Sequence, residues 1–274
     1  MIFDVAAEVL ANIRLSTEYN IVALAAPEVA RAAGPGQFVM VKPGSPNDPL
    51  LRRPFSIFEI LRERETVVGL SLLNKRVGVG TSLLYDARPG DRIPCLGPLG
   101  RPFAPVGPPE DAWLVAGGVG LAPFVTLAEA LATRGTRTTL FYGGRTAADL
   151  FREELFEPLG VRLVLTTEDG SRGERGRVTV PLARWLAERP ADEAISIYAC
   201  GPTPMMRAVA DLGRRFARPT YVSLEPVMGC GMGGCYSCVV PVCGALPAHF
   251  VRACIEGPVF DASVLVWDAL LGGH

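Results

Sequence analysis

Apolar and polar positions along the chain follow two regimes. From about Ala6 to Phe103 the apolar runs are short and cut by glycine and proline: Tyr19–Leu24, Gln37–Val41, Thr66–Leu73 and Arg92–Pro94. Runs of this length between turn residues predict antiparallel strands forming a barrel or sandwich. Beyond them the pattern changes. Trp113–Ala116 is a short apolar strand that runs into Gly117-Gly118-Val119-Gly120-Leu121-Ala122-Pro123, and Phe124–Ala132 has helical spacing. Thr138–Tyr142, Arg162–Thr167 and Ala194–Ala199 repeat the strand signal. Leu150–Leu159, Val178–Leu186 and Thr203–Phe216 repeat the helical one. Strands alternating with helices predict a parallel sheet. After Tyr221 only fragments remain, with Phe250–Ile255 and Val259–Asp261 reading as strands and Val264–Trp267 as an apolar patch. The expectation is a multidomain α+β chain: an antiparallel β-barrel over residues 1–104, an α/β parallel-sheet domain over 105–220 and a small C-terminal domain over 221–274.

Composition narrows the function classes. Charges nearly cancel, 27 Lys and Arg against 28 Asp and Glu, which argues against nucleic-acid binding as the main task because that needs a basic surface. No apolar run reaches the length of a membrane span; Trp113–Val125 is interrupted by glycines and a proline. Met1-Ile2-Phe3-Asp4 lacks the charged start and apolar core of a signal peptide, so the expected location is cytoplasmic. Two histidines, His249 and His274, and no nucleophile–base pair leave no acid–base catalytic group to nominate.

The chemistry concentrates in the cysteines. Cys230, Cys235, Cys238 and Cys254 give the pattern C-x4-C-x2-C-x15-C, the plant-type spacing for a [2Fe–2S] cluster. Two irons and two sulfides need four thiolates around a compact object. A short loop presents three of them only if its backbone bends sharply, and Gly231, Gly233 and Gly234 permit those bends. Zinc also takes four thiolates and stays open as an alternative. Disulfides fit poorly, because seven cysteines is an odd count. Cys243 competes with Cys254 as fourth ligand; Cys254 is favoured because Gly257-Pro258 beside it predicts a turn.

Two glycine loops point to phosphate. Gly78-Val79-Gly80-Thr81-Ser82 reads as a loop entering a helix, suited to a pyrophosphate or to ordinary capping by Thr81 or Ser82. Gly117–Gly120 lies between a strand and a helix, the order a phosphate-binding turn requires, although it is not the G-x-G-x-x-G fingerprint. In a parallel sheet, Gly117–Gly120, Gly143–Arg145, Glu168–Asp169 and Cys200–Pro202 all fall at the carboxyl ends of strands, where ligands bind. A carboxylate such as Glu168 near an adenosine ribose bonds two hydroxyls and repels a 2′-phosphate, which favours NAD over NADP; against this, Arg172 and Arg175 lie in the same loop, and the loop also reads as a solvated surface turn.

Arg53-Pro54-Phe55-Ser56, Gly80-Thr81, Gly117–Pro123, Cys200-Gly201-Pro202 and the C-terminal cysteines together resemble the ferredoxin reductase superfamily with an added iron–sulfur tail. With Cys254-Ile255-Glu256-Gly257-Pro258-Val259-Phe260 closing the cysteine block, the chain resembles more closely the electron-transfer subunits of type B, NAD-dependent dihydroorotate dehydrogenase, over nearly its whole length. The resemblance implies FAD bound between the barrel and the sheet domain. Arg53, Pro54, Phe55 and Ser56 match the flavin strand, Leu73, Asn74 and Lys75 a second flavin segment, and Gly80 and Thr81 the pyrophosphate turn. Gly117, Gly118, Gly120, Glu168, Cys200 and Gly201 fall to NAD; Cys230, Cys235, Cys238 and Cys254 match the cluster ligands. It also implies an FMN-containing catalytic partner that oxidises dihydroorotate, in a heterotetramer of two copies of each subunit. Phe55 departs from the aliphatic residue or tyrosine of many relatives, and Cys243 lies outside the ligand pattern. Two rival readings stand beside this one. One is an FAD/[2Fe–2S] reductase subunit of a hydrogenase or of a ferredoxin:NADP transhydrogenase. The other is a zinc-stabilised binding module without catalysis.

Overall fold

The computed structural model describes residues 1–44, 49–244 and 249–272. They form two compact units.

The first unit comprises Met1–Pro102, Pro226–Val239 and Arg252–Pro258. Six strands, β1 (Phe3–Arg14), β2 (Tyr19–Ala25), β3 (Phe38–Val41), β4 (Arg53–Glu63), β5 (Thr66–Lys75) and β6 (Arg92–Leu99), close into a barrel in the order β1-β2-β5-β4-β3-β6. Every pairing around it is antiparallel. Alternation along the strands sends Val22, Leu24, Val39, Val41, Ile57, Leu70, Leu72 and Ile93 into one core. Two short helices, α1 (Pro27–Ala32) and α2 (Val79–Tyr85), complete the unit; Leu84 of α2 is buried in the barrel core. The sequence expectation of a barrel therefore holds, and α2 begins where the glycine loop predicted a helix entry.

The second unit comprises Phe103–Glu225, Val240–Val251 and Val259–His274. Its sheet contains β7 (Asp111–Gly117), β8 (Thr138–Gly144), β9 (Arg162–Thr167), β10 (Glu174–Arg175), β11 (Ile195–Cys200), β12 (Thr220–Ser223) and β15 (Val259–Asp261), in the order β10-β9-β8-β7-β11-β12-β15. The first six run parallel. β15 pairs antiparallel with β12. Between β12 and β15 in the chain, β13 (Val239–Val242) and β14 (His249–Arg252) form a separate two-stranded sheet. Helices α3 (Phe124–Thr133), α4 (Thr179–Glu188) and α5 (Thr203–Arg215) connect the parallel strands, α6 (Ala253–Glu256) is a single turn, and α7 (Trp267–Gly272) ends the described chain. All six residues from Asp111 to Ala116 of β7 are buried, as expected for a parallel strand covered on both faces.

Trp113 on β7 is 1% exposed and packs against Phe141 at 5.3 Å and Trp185 at 6.1 Å between ring centroids. Trp113→Ala removes the largest side chain of this core. It is expected to cost ~3–5 kcal/mol, read by calorimetry as a drop in the melting of this unit.

Two sequence expectations are corrected. Leu150–Leu159 is not a helix but two separate 3₁₀ turns, Glu153–Leu155 and Glu157–Leu159, preceded by a third at Ala147–Asp149. Asp149 is taken up by the amides of Arg145 and Thr146, Arg152 sits in the left-handed region at φ 62°, and Pro158 has no N–H to donate. Phe250–Ile255 is strand only as far as Arg252. There the Glu256 carboxylate accepts the Arg252 N–H at 3.0 Å and the Gly257 N–H bonds the Ala253 carbonyl. The local bonds close one helical turn, and Cys254 lies on it. The apolar segment Val264–Trp267 packs in part on its own unit: Leu265 is 4% exposed and bridges to Val242.

Candidate functional site

The cysteine loop is built on the barrel unit. Gly231 sits at φ +73°, and a Cβ there would lie 2.5 Å from Met40 Cγ of β3. Gly233 sits at φ +79°, and its Cβ would lie 2.8 Å from Ile255 Cγ1 beside Cys254. Only glycine allows the loop both this close seating and these dihedrals. The Ala253 N–H donates to the Cys238 carbonyl at 2.9 Å, and the Arg101 N–H to the Gly257 carbonyl, so the Cys254 turn is pinned between the loop and the segment that follows the barrel's last strand. Arg252 spans both pieces: its Nη1 donates to the Gly233 carbonyl at 3.1 Å, and its guanidinium lies 5.2 Å from the Tyr236 ring centroid.

The four thiols fall into two pairs. Cys238 and Cys254 are both 2% exposed, with Sγ atoms 3.2 Å apart. Burial first, and then the neighbouring Cys238 sulfur, push the Cys254 thiol up to about 12. A cation beside the two sulfurs would offset this and favour the Cys254 thiolate. The second pair lies at the open end of the loop. The Cys235 sulfur accepts the Cys230 N–H at 3.3 Å, and the Cys230 sulfur accepts the Met232 N–H at 3.4 Å. Bonds from Ser237 first, and then from Cys230, hold the Cys235 thiol down at about 6. All seven cysteines are free. Two thiolates for each of two irons, with backbone N–H groups turned to the sulfurs, fit an iron–sulfur core. Among the described residues no three His, Cys, Asp or Glu side chains form a group suited to a single metal ion. Cys243, exposed, belongs to the other unit, where its N–H bonds the Val264 carbonyl.

The flavin segments named from the sequence converge on one part of the barrel. Arg53 of β4 lies over α2: a Cβ on Gly80 would be 3.1 Å from Arg53 Cγ. The half-buried Arg53–Ser56 strand pairs with β3 through Val41↔Arg53 and Phe38↔Ser56. Thr81 Oγ1 accepts the N–H groups of Val77 and Gly78 at 2.9 Å each and donates to the Gly78 carbonyl. Thr81 therefore closes this turn from the third position of α2, whose N-cap is Gly78, and not as the N-cap that the capping reading expected of Thr81 or Ser82. Asn74 is fully buried and donates to the Thr81 carbonyl at 3.0 Å and to Asn20 Oδ1 at 2.7 Å. Asn20 donates to Asn12 Oδ1, and Asn12 to the carbonyls of Tyr85 and Ala87. Three asparagines on β1, β2 and β5 thus hold α2 at both ends. Asn74 Oδ1 is a buried acceptor that finds no donor among the described residues, a position a bound group's N–H or O–H would satisfy. An arginine beside a tight glycine turn with an unfilled acceptor fits a large phosphate-bearing cofactor.

In the second unit the strand order reverses beside β7, whose neighbours are β8 and β11. Ligands of open parallel sheets bind outside such a switch point, at the carboxyl ends of the strands. Gly117–Gly120 leaves β7 there and passes into a 3₁₀ turn over Gly118–Leu121; Cys200-Gly201 leaves β11 beside it. A Cβ on Gly120 would lie 2.3 Å from the Cys200 carbonyl oxygen, and one on Gly117 2.8 Å from Met205 Sδ. The two loops are in backbone contact and leave an open backbone surface fit for a dinucleotide. Cys200 itself is wholly buried, and burial pushes its thiol well above the ordinary range, so it fills space instead of reacting. Glu168 is exposed at the end of β9, two strands from β7, ~10 Å at the usual strand spacing. His249 is exposed on β14, and His274 lies outside the described residues.

The comparisons decide the family. Residues 114–211 match the model of an oxidoreductase NAD-binding domain, and residues 225–266 match the iron–sulfur cluster binding domain of dihydroorotate dehydrogenase B. The dihydroorotate dehydrogenase B (NAD(+)), electron transfer subunit of Desulforamulus reducens is 38% identical over 97% of this chain and 99% of its own. The chain belongs to the dihydroorotate dehydrogenase B electron transfer subunits. The same subunit of Geobacillus kaustophilus is 43% identical over 85% of this chain and 86% of its own. Among solved structures, a chain from the NADH-dependent reduced ferredoxin-NADP oxidoreductase, studied for flavin-based electron bifurcation, aligns with TM-score 0.84 and 31% identity over 97% of this chain and 92% of that one. A ferredoxin reductase of carbazole 1,9a-dioxygenase aligns with TM-score 0.65 and 25% identity over 79% and 65%. The fold expectation of a barrel, a parallel-sheet unit and an iron–sulfur segment is thereby met within this family. No helix among the described residues is long and apolar enough to cross a membrane.

The sequence reading passed over several side chains that shape these sites: Asn12 and Asn20 behind the flavin turn, Met205 behind the NAD loop, and Arg252 and Ser237 around the cysteines. Only Arg252 and Ser237 carried a signal, being within two residues of a ligand cysteine.

Proposed function

We propose that the chain works as the electron-transfer subunit of a dihydroorotate dehydrogenase, passing electrons from the FMN of its catalytic partner through a [2Fe–2S] cluster and FAD to NAD in pyrimidine synthesis. The observation that carries this is the end-to-end match to electron transfer subunits of that enzyme, with the cysteine pairs intact. When bound, the cluster moves one electron at a time and FAD gathers two for transfer to NAD as a hydride. The chain's residues supply position and electrostatics. Cys230, Cys235, Cys238 and Cys254 hold the irons, and the N–H groups of Cys230 and Met232 orient the exposed sulfurs. Arg53–Ser56, Leu73–Lys75 and Gly80-Thr81 hold FAD, with the Arg53 cation near its phosphates. Gly117, Gly118, Gly120 and Gly201 admit NAD by offering backbone without side chains, and Cys200 lines the same place with its backbone, its thiol being buried. In functional terms residues 1–104 serve FAD, 105–220 serve NAD and 221–274 serve the cluster. The assembly is two copies of this chain with two catalytic subunits, in the cytoplasm.

Glu168 sets the choice of NAD. Its exposed carboxylate repels a 2′-phosphate, and Arg172 in the same loop is engaged by Glu153 and so withheld from one. Glu168→Ala is expected to raise kcat/KM for NADPH relative to NADH about tenfold, ~1.4 kcal/mol; an unchanged ratio removes Glu168 from cofactor choice.

The deciding experiment is co-expression with a dihydroorotate dehydrogenase catalytic subunit and assay of dihydroorotate-dependent NAD reduction. Activity in the joint complex alone supports the reading. NADH-driven dye reduction without dihydroorotate coupling would instead favour the ferredoxin or hydrogenase reductase reading, to which the bifurcating neighbour lends some weight.

A further inference from the structure

We propose that Ser237 is a positioning residue of the cluster site: its hydroxyl donates a hydrogen bond to the Cys235 sulfur and raises the reduction potential of the cluster bound there. The inference rests on Cys235 being a ligand. Ser237 Oγ lies 3.2 Å from Cys235 Sγ, within the loop Cys235-Tyr236-Ser237-Cys238. The direction of the bond follows from a second contact. The Gly229 N–H donates to the same Oγ at 2.8 Å, so one lone pair of the hydroxyl is taken and its hydrogen is free. A thiolate ligand has no hydrogen of its own, which leaves the serine as donor. A Cβ on Gly229 would lie 3.1 Å from Cys235 Sγ and 3.2 Å from Ser237 Oγ, so the absence of a side chain at Gly229 leaves room for the pair. Cys235 Sγ also accepts the Cys230 N–H; the serine adds a second donor to a sulfur at the exposed end of the loop.

The sign is fixed by charge. Reduction adds one electron to the cluster and places more negative charge on its sulfurs, with no proton transferred. A donor aimed at a thiolate stabilises the more negative state more, and so raises the potential. The x2 residues of a C-x2-C segment are free to vary without losing a ligand, so a hydroxyl here changes potential while leaving the metal set intact.

The test is a redox titration of the assembled complex with dithionite as reductant, followed by the EPR signal of the reduced cluster. Ser237→Ala is expected to shift the reduction equilibrium about tenfold toward the oxidised form, a fall of ~59 mV for one electron, with iron content unchanged. Ser237→Thr, which keeps the hydroxyl, is expected to restore the potential, and its near-isostere Ser237→Val to lower it as alanine does. Equal potentials for the threonine and valine variants overturn the proposal, as does an unmoved potential in Ser237→Ala. Loss of iron from both the alanine and valine variants also overturns it, because the role is then structural alone. Cys235→Ser tests the underlying assignment separately: an unchanged cluster signal in that variant would mean that Cys235 is no ligand.

Discussion

Cys254→Ala is expected to strip the cluster from the protein and to cut dihydroorotate-dependent NAD reduction by about a thousandfold or more, ~4 kcal/mol in transition-state terms. The geometry explains why this cysteine should matter so much. Its sulfur is one half of the buried pair with Cys238, 3.2 Å away, and an iron at that end would keep one protein thiolate in place of two. No other cysteine of the barrel unit is free to replace it: Cys230 and Cys235 form the other pair, and Cys95 is buried on β6, its thiol pushed up to about 12 by burial. NADH-driven dye reduction should survive, since the residues assigned to FAD and NAD are distant in sequence from Cys254 and make their own local contacts. Cys243→Ser is the matched control. Its exposed thiol belongs to the other unit, and iron content and coupled activity should stay at the parent level. Iron analysis of the two variants checks both statements; retention in the first with loss in the second would make Cys243 the fourth ligand.

What the sequence disclosed, and what it withheld, divides along a physical line. Covalent spacing and local periodicity are written in the chain, so the cysteine pattern, the barrel strands and the β-then-α repeat were all legible. Strand order is not local. Nothing in Trp113–Gly117 or Ile195–Cys200 says that β7 and β11 lie side by side, yet that adjacency brings Gly120 against Cys200 and creates the switch point. The two misread segments failed for the opposite reason. Leu150–Leu159 has helical spacing of apolar residues, but Asp149, Arg152 and Pro158 each favour a local turn over a continuous helix. Phe250–Ile255 looks like a strand until Glu256 reaches back to the Arg252 amide. In both, side-chain-to-backbone bonds outcompeted the periodic pattern.

The asparagines show the same limit at a finer scale. Asn74 was marked only by its resemblance to a flavin segment. Its side chain is turned into the barrel, where with Asn20 and Asn12 it holds four carbonyl-bearing residues in or beside α2. A helix of seven residues is too short to be stable by its own hydrogen bonds; its place depends on these long-range contacts, joining residues up to 75 positions apart. Sequence alone marks three asparagines among strands, where they are disfavoured, but not that they meet.

Gly120→Ala is expected to abolish NADH oxidation while leaving the barrel unit with its flavin and cluster in place. The added methyl would sit 2.3 Å from the Cys200 carbonyl oxygen and 2.5 Å from its carbon. These are backbone atoms at the end of a central, wholly buried strand, so neither a rotamer change nor a surface shift can relieve the overlap. The loop must lift away from β11, and the surface left open for the dinucleotide is lost with it. Overpacking of this kind costs ~1–3 kcal/mol of stability, and a displacement of about 1 Å at a reacting geometry costs a further ~100-fold in rate. Gly118→Ala separates crowding from backbone strain. Gly118 has φ +55° but nothing within 4 Å of its Cβ position, so its alanine meets only the left-handed penalty, ~1–2 kcal/mol. Steady-state NADH–dye kinetics should therefore rank the parent above Gly118→Ala and Gly118→Ala well above Gly120→Ala. Dithionite reduction of flavin and cluster should be the same in all three, because none of the changes touches the first unit. Equal NADH kinetics in the two variants would mean that the contact between the β7 and β11 loops does not shape the nicotinamide site.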